Sequence, residues 1–219
     1  MKMKVGLVVF ALAALFNNAF ATDIQSLVQE TQRSSSADQH LTMAWWIPQE
    51  FWQASLSNNP NITADARAQL LNALDDYQLF VLVHAKIGAA GITDAQSKDE
   101  LVSHAQFVVA GKNIDPIPAD KLPPSTQAVL GSLKPALVGM LGAMGQSMQI
   151  IVYPSKRDGV RLIDTAKAST FQYTLYDQTF QWRMPLASLL PKKIDPKTNE
   201  EFPGNYEYNP YTGGKLTTK

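Results

Sequence analysis

The chain contains no cysteine in its 219 residues. No disulfide can form, no lipid can be attached at an N-terminal cysteine, and no thiolate can act as a nucleophile or metal ligand. Histidine is scarce: His40, His84 and His104 are the three in the chain. No two of them stand at metal-ligand spacing with a carboxylate, so neither a metal nor a cofactor is expected. There is no Gly-x-Ser-x-Gly elbow, no phosphate-binding loop and no Rossmann glycine pattern. Catalysis would need residues that converge in space, and His84, His104, Glu50 and Asp99 are the nominees. Charge of one sign is lacking too. The 19 basic residues balance 19 acidic ones, which gives no electrostatic footprint for nucleic acid or an anionic membrane.

What is present begins with "MKMKVGLVVFALAALFNNAFA". Lys2 and Lys4 give a positive start, Val5 to Phe16 is apolar, and Ala19-Phe20-Ala21 is a small-x-small cleavage site. These are the three parts of a secretory leader. The apolar run falls short of the roughly 18 residues needed to span a bilayer, so no transmembrane anchor is expected. Cleavage after Ala21 leaves a periplasmic or secreted protein of about 198 residues, a length that supports one main hydrophobic core.

Residues 22–42, with "RSSSADQH", are polar and read as a flexible N-terminal arm carrying a solvated His40. "AWWIPQEFWQASL" follows. Pro48 suits a first helical turn, and Phe51, Trp52, Ser55 and Leu56 share one arc. Trp45 and Trp46 precede that helix in extended chain. The aromatics are a core anchor or a ligand platform. Glu50 lies among them, and a carboxylate beside tryptophan can have a raised pKa, although no second acid or base is visible near it.

Thr63 caps a helix that carries Leu70, Leu71 and Leu74. Leu79 to Ile87 reads as a buried strand holding a hydrogen-bonded His84. A helical turn over Ser97 to Leu101 precedes a strand from Val102 to Ala110, which contains His104. In "PSTQAVLGSLKPALVGMLGAMGQSM", Pro135 predicts two helical pieces with a kink. Small residues recur there at Gly131, Pro135, Gly139 and Ala143, with Lys134 and Pro135 breaking up any membrane span. Met140, Met144 and Met148 sit four apart, which suits a buried face or a Cu(I) site of soft thioethers. "QIIVYP" is another buried strand. Phe171, Tyr173 and Leu175 alternate along one strand and Phe180, Trp182 and Met184 along the next, which predicts a hairpin with one buried face.

The tail, residues 192–219, repeats itself. Asp195-Pro-Lys-Thr198 and Asn209-Pro-Tyr-Thr212-Gly213 flank Pro203-Gly204. Asp or Asn first, Pro second and Gly late is turn chemistry, and it describes a metal-free hairpin with two similar turns. The spacing resembles a zinc-ribbon or rubredoxin-type double knuckle whose four ligand places hold Asp195, Thr198, Asn209 and Thr212. With the Trp45 to Trp52 and Trp182 to Pro191 segments, the mature chain resembles a group of uncharacterised exported bacterial proteins with such a tail. The resemblance implies that the turns persist without the metal.

Residues 43–191 are therefore expected to form a single α+β domain. It has a mainly antiparallel sheet with helices on one face and a C-terminal β-hairpin appended. A non-catalytic binding or structural role in the envelope is expected, with Trp45, Trp46, Glu50 and Trp52 as the surface for a protein partner or a small apolar ligand. Small-molecule or copper binding, or hydrolysis at a dispersed site, are the alternatives. Binding at the tryptophans requires Trp45 or Trp46 to be exposed. Catalysis requires a cleft that joins His84 or His104 to an acid. Copper requires the three methionines to face one cavity.

Overall fold

A computed structural model describes residues 20–57, 59–89 and 91–218. The leader expected over residues 1–21 lies outside them up to position 19. In chain order the elements are α1 (Phe20–Thr31), β1 (Gln32–Ala37), β2 (His40–Ile47), α2 (Gln49–Ser57), α3 (Ala64–Asp75), β3 (Tyr77–Gly88) and β4 (Gly91–Thr93). Next come α4 (Lys98–Ser103), β5 (Ala105–Val109), β6 (Lys112–Ile114), α5 (Pro124–Leu141), β7 (Gln149–Pro154), β8 (Lys156–Arg157) and β9 (Val160–Arg161). The chain closes with β10 (Ser169–Leu175), β11 (Gln178–Met184), β12 (Lys193–Ile194), β13 (Glu201–Phe202) and β14 (Thr217–Thr218). The fold is α+β, and its strand pairings are antiparallel.

The first sheet runs β1-β2-β3-β4, with β7 also paired to β3; the second runs β11-β10-β5-β6. Opposed residues share a face, so the register sorts the core. Trp46, Phe80 and Ile151 align on one face of the first sheet. That face meets the second sheet through aromatic edges: Trp46 on Phe171 at 4.9 Å, Phe80 on Phe107 at 5.0 Å and Phe107 on Tyr153 at 4.9 Å. The predicted hairpin is β10–β11, with Phe171, Tyr173, Leu175, Phe180, Trp182 and Met184 all buried. The opposite face of the first sheet carries Met43, Trp45, Val81 and Val83. Trp45 meets Phe51 of α2 edge to face there, and α2, α3 and α5 touch one another in turn.

Residues 22–42 are not a free arm. Ile24, Leu27 and Val28 recur at helical spacing, and Leu27 is buried. The Glu30 carboxylate accepts from the Ala187 N–H, the Ser188 N–H and the Ser188 hydroxyl at 2.6–2.9 Å. Thr31 is tied from both sides: its carbonyl accepts from Trp182 Nε1 at 2.8 Å and its hydroxyl from Trp45 Nε1 at 3.1 Å. All of β1 then pairs with β2, from Gln32 opposite Trp45 to Ala37 opposite His40. Long-range polar partners hold a segment whose composition alone looks too polar to fold.

Two further expectations are corrected. α5 runs through Pro135 as one helix. Leu133, Leu137 and Leu141 lie buried along it, and their packing offsets the hydrogen bond that proline cannot donate. The helix stops at Gly142, whose φ of 56° is left-handed. Residues 142–147 then turn back so tightly that a side chain at Gly145 would strike the Val138 carbonyl. By length and composition Pro124–Ser147 could cross a membrane; in this fold its leucines enter the core and Gly131, Pro135 and Gly139 face out. His104 belongs to no strand. It ends α4, whose first turn is capped by Ser97.

The tail forms a small sheet with β12 between β13 and β14. Its two turns are near copies. Asn199 N–H donates to the Asp195 carbonyl and Gly213 N–H to the Asn209 carbonyl, both at 2.8 Å. Asn199 and Gly213, at matching places, both have positive φ.

Candidate functional site

The expected aromatic platform is core. Trp45 and Trp46 are each 1% exposed and Trp52 is 4% exposed, so the condition for binding at the tryptophans fails. Trp46 Nε1 donates to Gln78 Oε1 at 2.7 Å, which satisfies its N–H inside the protein. Glu50 is half-buried and accepts from the Thr165 hydroxyl. With Trp46, Gln78, Arg161 and Asp164 it borders a small cavity of about 290 Å³.

The methionines part company as well. Met140 is 40% exposed, Met144 is half-buried and Met148 is 1% exposed. The change from α-helix to the tighter 142–147 turns ends the four-residue periodicity that would have aligned them, and the copper reading loses its geometry. Among the described residues, no group of three or more histidine, aspartate or glutamate side chains is placed to hold a metal ion.

In the tail, Asp195 and Asn209 take the first place of each turn. Asp195 accepts from the Lys197 N–H at 2.8 Å and from Asn209 Nδ2 at 2.6 Å. Asn209 Oδ1 accepts from the Tyr211 N–H at 2.8 Å. These donors, the Lys197 amide first and the Asn209 amide next, hold the Asp195 carboxyl below the usual carboxylate range. The hydrogen bond from Asn209 to Asp195 joins the two turns.

The three histidines, far apart in the chain, stand in one column. The rings of His40 and His84 stack at 5.2 Å and 7°, those of His84 and Tyr176 at 3.9 Å, and those of Tyr176 and His104 at 4.3 Å. Each ring arrives by a different route. β1–β2 turns at Asp38-Gln39, both with positive φ, and delivers His40. β3 delivers His84 in register with Thr42. α4 ends on His104, whose carbonyl accepts from the Tyr176 N–H at 3.0 Å and so pins the β10–β11 turn. Tyr176 sits in that two-residue turn with φ of 54°, an unusual value for a bulky residue that surrounding contacts must hold.

The column borders a groove of about 820 Å³ with Asp38, Asp177, Thr42 and Ser103. The hydrogen bonds fix the rings. His40 Nδ1 lies 2.9 Å from the Asp38 carbonyl and His104 Nδ1 lies 3.0 Å from the Glu100 carbonyl. A carbonyl can only accept, so both Nδ1 atoms donate, and in the neutral form of each ring Nε2 keeps the lone pair. His84 Nδ1 meets the Thr42 hydroxyl at 2.8 Å, which permits either tautomer. Burial pushes the His84 ring below its ordinary pKa; neighbouring His40 and His104 add to the shift and Asp177 opposes it. Burial, and then Glu100, push the Tyr176 phenol up.

No protein-family model matches the chain, and neither does any curated protein or solved structure. The site therefore rests on its own geometry. His84 and His104 were among the catalytic nominees, and the groove does bring both together with acids, Asp38 and Asp177. Neither Glu50 nor Asp99 borders it. Sequence reasoning missed His40, Thr42, Tyr176 and Asp177 as neighbours. Their one local sign is that Tyr176-Asp177 interrupts two alternating runs.

Proposed function

We propose that this is an exported, non-catalytic binding protein and that its ligand site is the groove beside the His40–His84–Tyr176–His104 column. The carrying observation is the convergence of all three histidines, brought by separate elements, on one open cavity. Sites that bind small molecules are concave and hold a few convergent polar groups, and this is the larger of the two cavities described above. The leader-like N-terminus supports export. The faces inside the column are covered ring upon ring, so it meets a ligand with ring edges, and a polar ligand suits it better than an apolar one.

Hydrolysis is the second reading, because the Thr42 hydroxyl contacts His84 and the Ser103 hydroxyl contacts His104 at 3.0 Å. It is the weaker one. Thr42 is 3% exposed, and the Ser103 hydroxyl donates to the Glu100 carbonyl. Among the described residues no carboxylate hydrogen-bonds either imidazole to orient it as a base, as a triad requires.

Histidine-labelled protein, mixed with a small-molecule extract of the envelope of a secreting host, tests the reading by NMR. Binding in the groove moves all three histidine ring signals together and leaves the tryptophan indole signals in place. Movement at the indoles alone, or silence at the histidines, overturns it. The intact mass of the protein recovered from that envelope tests export, with Thr22 expected as the first residue.

A further inference from the structure

We infer that the groove takes an organic cation, a primary ammonium or guanidinium group on a short chain. This deepens the proposed binding function and rests on it. The argument is one of complementarity.

The fixed charges on the groove's lining are both acidic. Asp38, from the β1–β2 turn, and Asp177, from the β10–β11 turn, are exposed carboxylates at its wall. No lysine or arginine lines it. Lys86 stands across from His40 in the β2–β3 register, outside the lining. On α4, Glu100 adds a third carboxylate 4.0 Å from His104 Nδ1. The lining of the groove itself therefore carries two carboxylates and no lysine or arginine, while Glu100 and Lys86 stand outside it with opposite charge.

The hydrogen-bonding groups point the same way. His40 and His104 spend their ring N–H groups on backbone carbonyls, and among the described residues no hydrogen bond engages either Nε2. Nε2 is on the far side of each ring from its protein partner, so it is the nitrogen left for a ligand. Two lone pairs and two carboxylates on one groove call for a donor-rich ligand with positive charge. An anion would find no fixed cation there. A planar aromatic ligand would find the faces of His84 and Tyr176 already stacked.

Spermidine, acetate, inorganic phosphate and Ni²⁺ are titrated separately into the folded protein, with the histidine ring signals followed by NMR. Spermidine is expected to shift all three histidine ring signals saturably near pH 8. Asp177→Asn and Asp38→Asn, which keep the turn geometry, should each weaken it roughly two- to fivefold. Unchanged affinity in both variants, or no response to spermidine, overturns the inference. Saturable acetate, phosphate or Ni²⁺ binding without spermidine binding overturns the cation while leaving the groove as the site. If the extract experiment is also silent at the histidines, the groove itself fails.

Discussion

At the scale of single residues, His84 couples the column to the stability of the fold. The folded protein holds this imidazole below its ordinary pKa, chiefly by burial and next through His40. The native state thus binds that proton less readily than the unfolded chain. Stability from this group is full above about pH 6.5 and declines as pH falls through the depressed native value. His84→Gln keeps a polar partner for Thr42 and removes the titration. Urea midpoints measured from about pH 8 to 5 should fall less steeply for the variant. Parallel slopes would assign the acid sensitivity to another group. Asp75 is the carboxylate to compare: Arg161 and then Lys156 donate to it and hold its pKa down, so its contribution is lost at lower pH, below the ordinary carboxylate value of about 3.9.

Among the elements, α5 shows most clearly how packing overrides local preference. Proline inside a helix costs about 3 kcal/mol relative to alanine, and Pro135 is exposed, so no core contact explains its presence. Pro135→Ala should therefore stabilise the protein by roughly 1–3 kcal/mol, partly offset by the looser unfolded chain. Equilibrium urea unfolding reads this directly, and a loss of stability would mean that the proline shapes the helix for packing. The reverse holds at Gly145, where the chain passes against Val138 and a side chain has no room. α5 is one helix rather than two pieces because the burial of Leu133, Leu137 and Leu141 outweighs the local preference of Pro135. The β10–β11 expectation succeeded because period-2 alternation is a local consequence of the pleat.

Across the whole molecule, two units of different character share the chain. The two main sheets interlock through Trp46, Phe80, Phe107, Phe171 and Trp182, whereas the tail sheet depends on its turns and on Phe202 and Leu216. Asn209→Ala removes the amide that joins Asp195 and frees the Tyr211 N–H. Faster amide exchange should follow at Asn199, Gly213 and their neighbours, with the aromatic core unchanged. Uniformly faster exchange across β2 and β3 would show that the tail and the core unfold as one.

The sequence by itself determined the α+β class, the helix cap at Thr63, the β10–β11 hairpin and the paired turns of the tail. Each depends on residues within a few positions of one another, where capping, pleating and turn chemistry act. Tertiary structure decided the burial of Trp45, Trp46 and Trp52, the anchoring of α1 by Glu30 and the histidine column. Those depend on strand register and on hydrogen bonds between residues as far apart as Glu30 and Ser188. His40 and His84 meet because Thr42 pairs with His84 across two strands, and His104 joins them through one turn at Tyr176. Side chains so widely separated come together when the sheets close, and no local pattern encodes that closure.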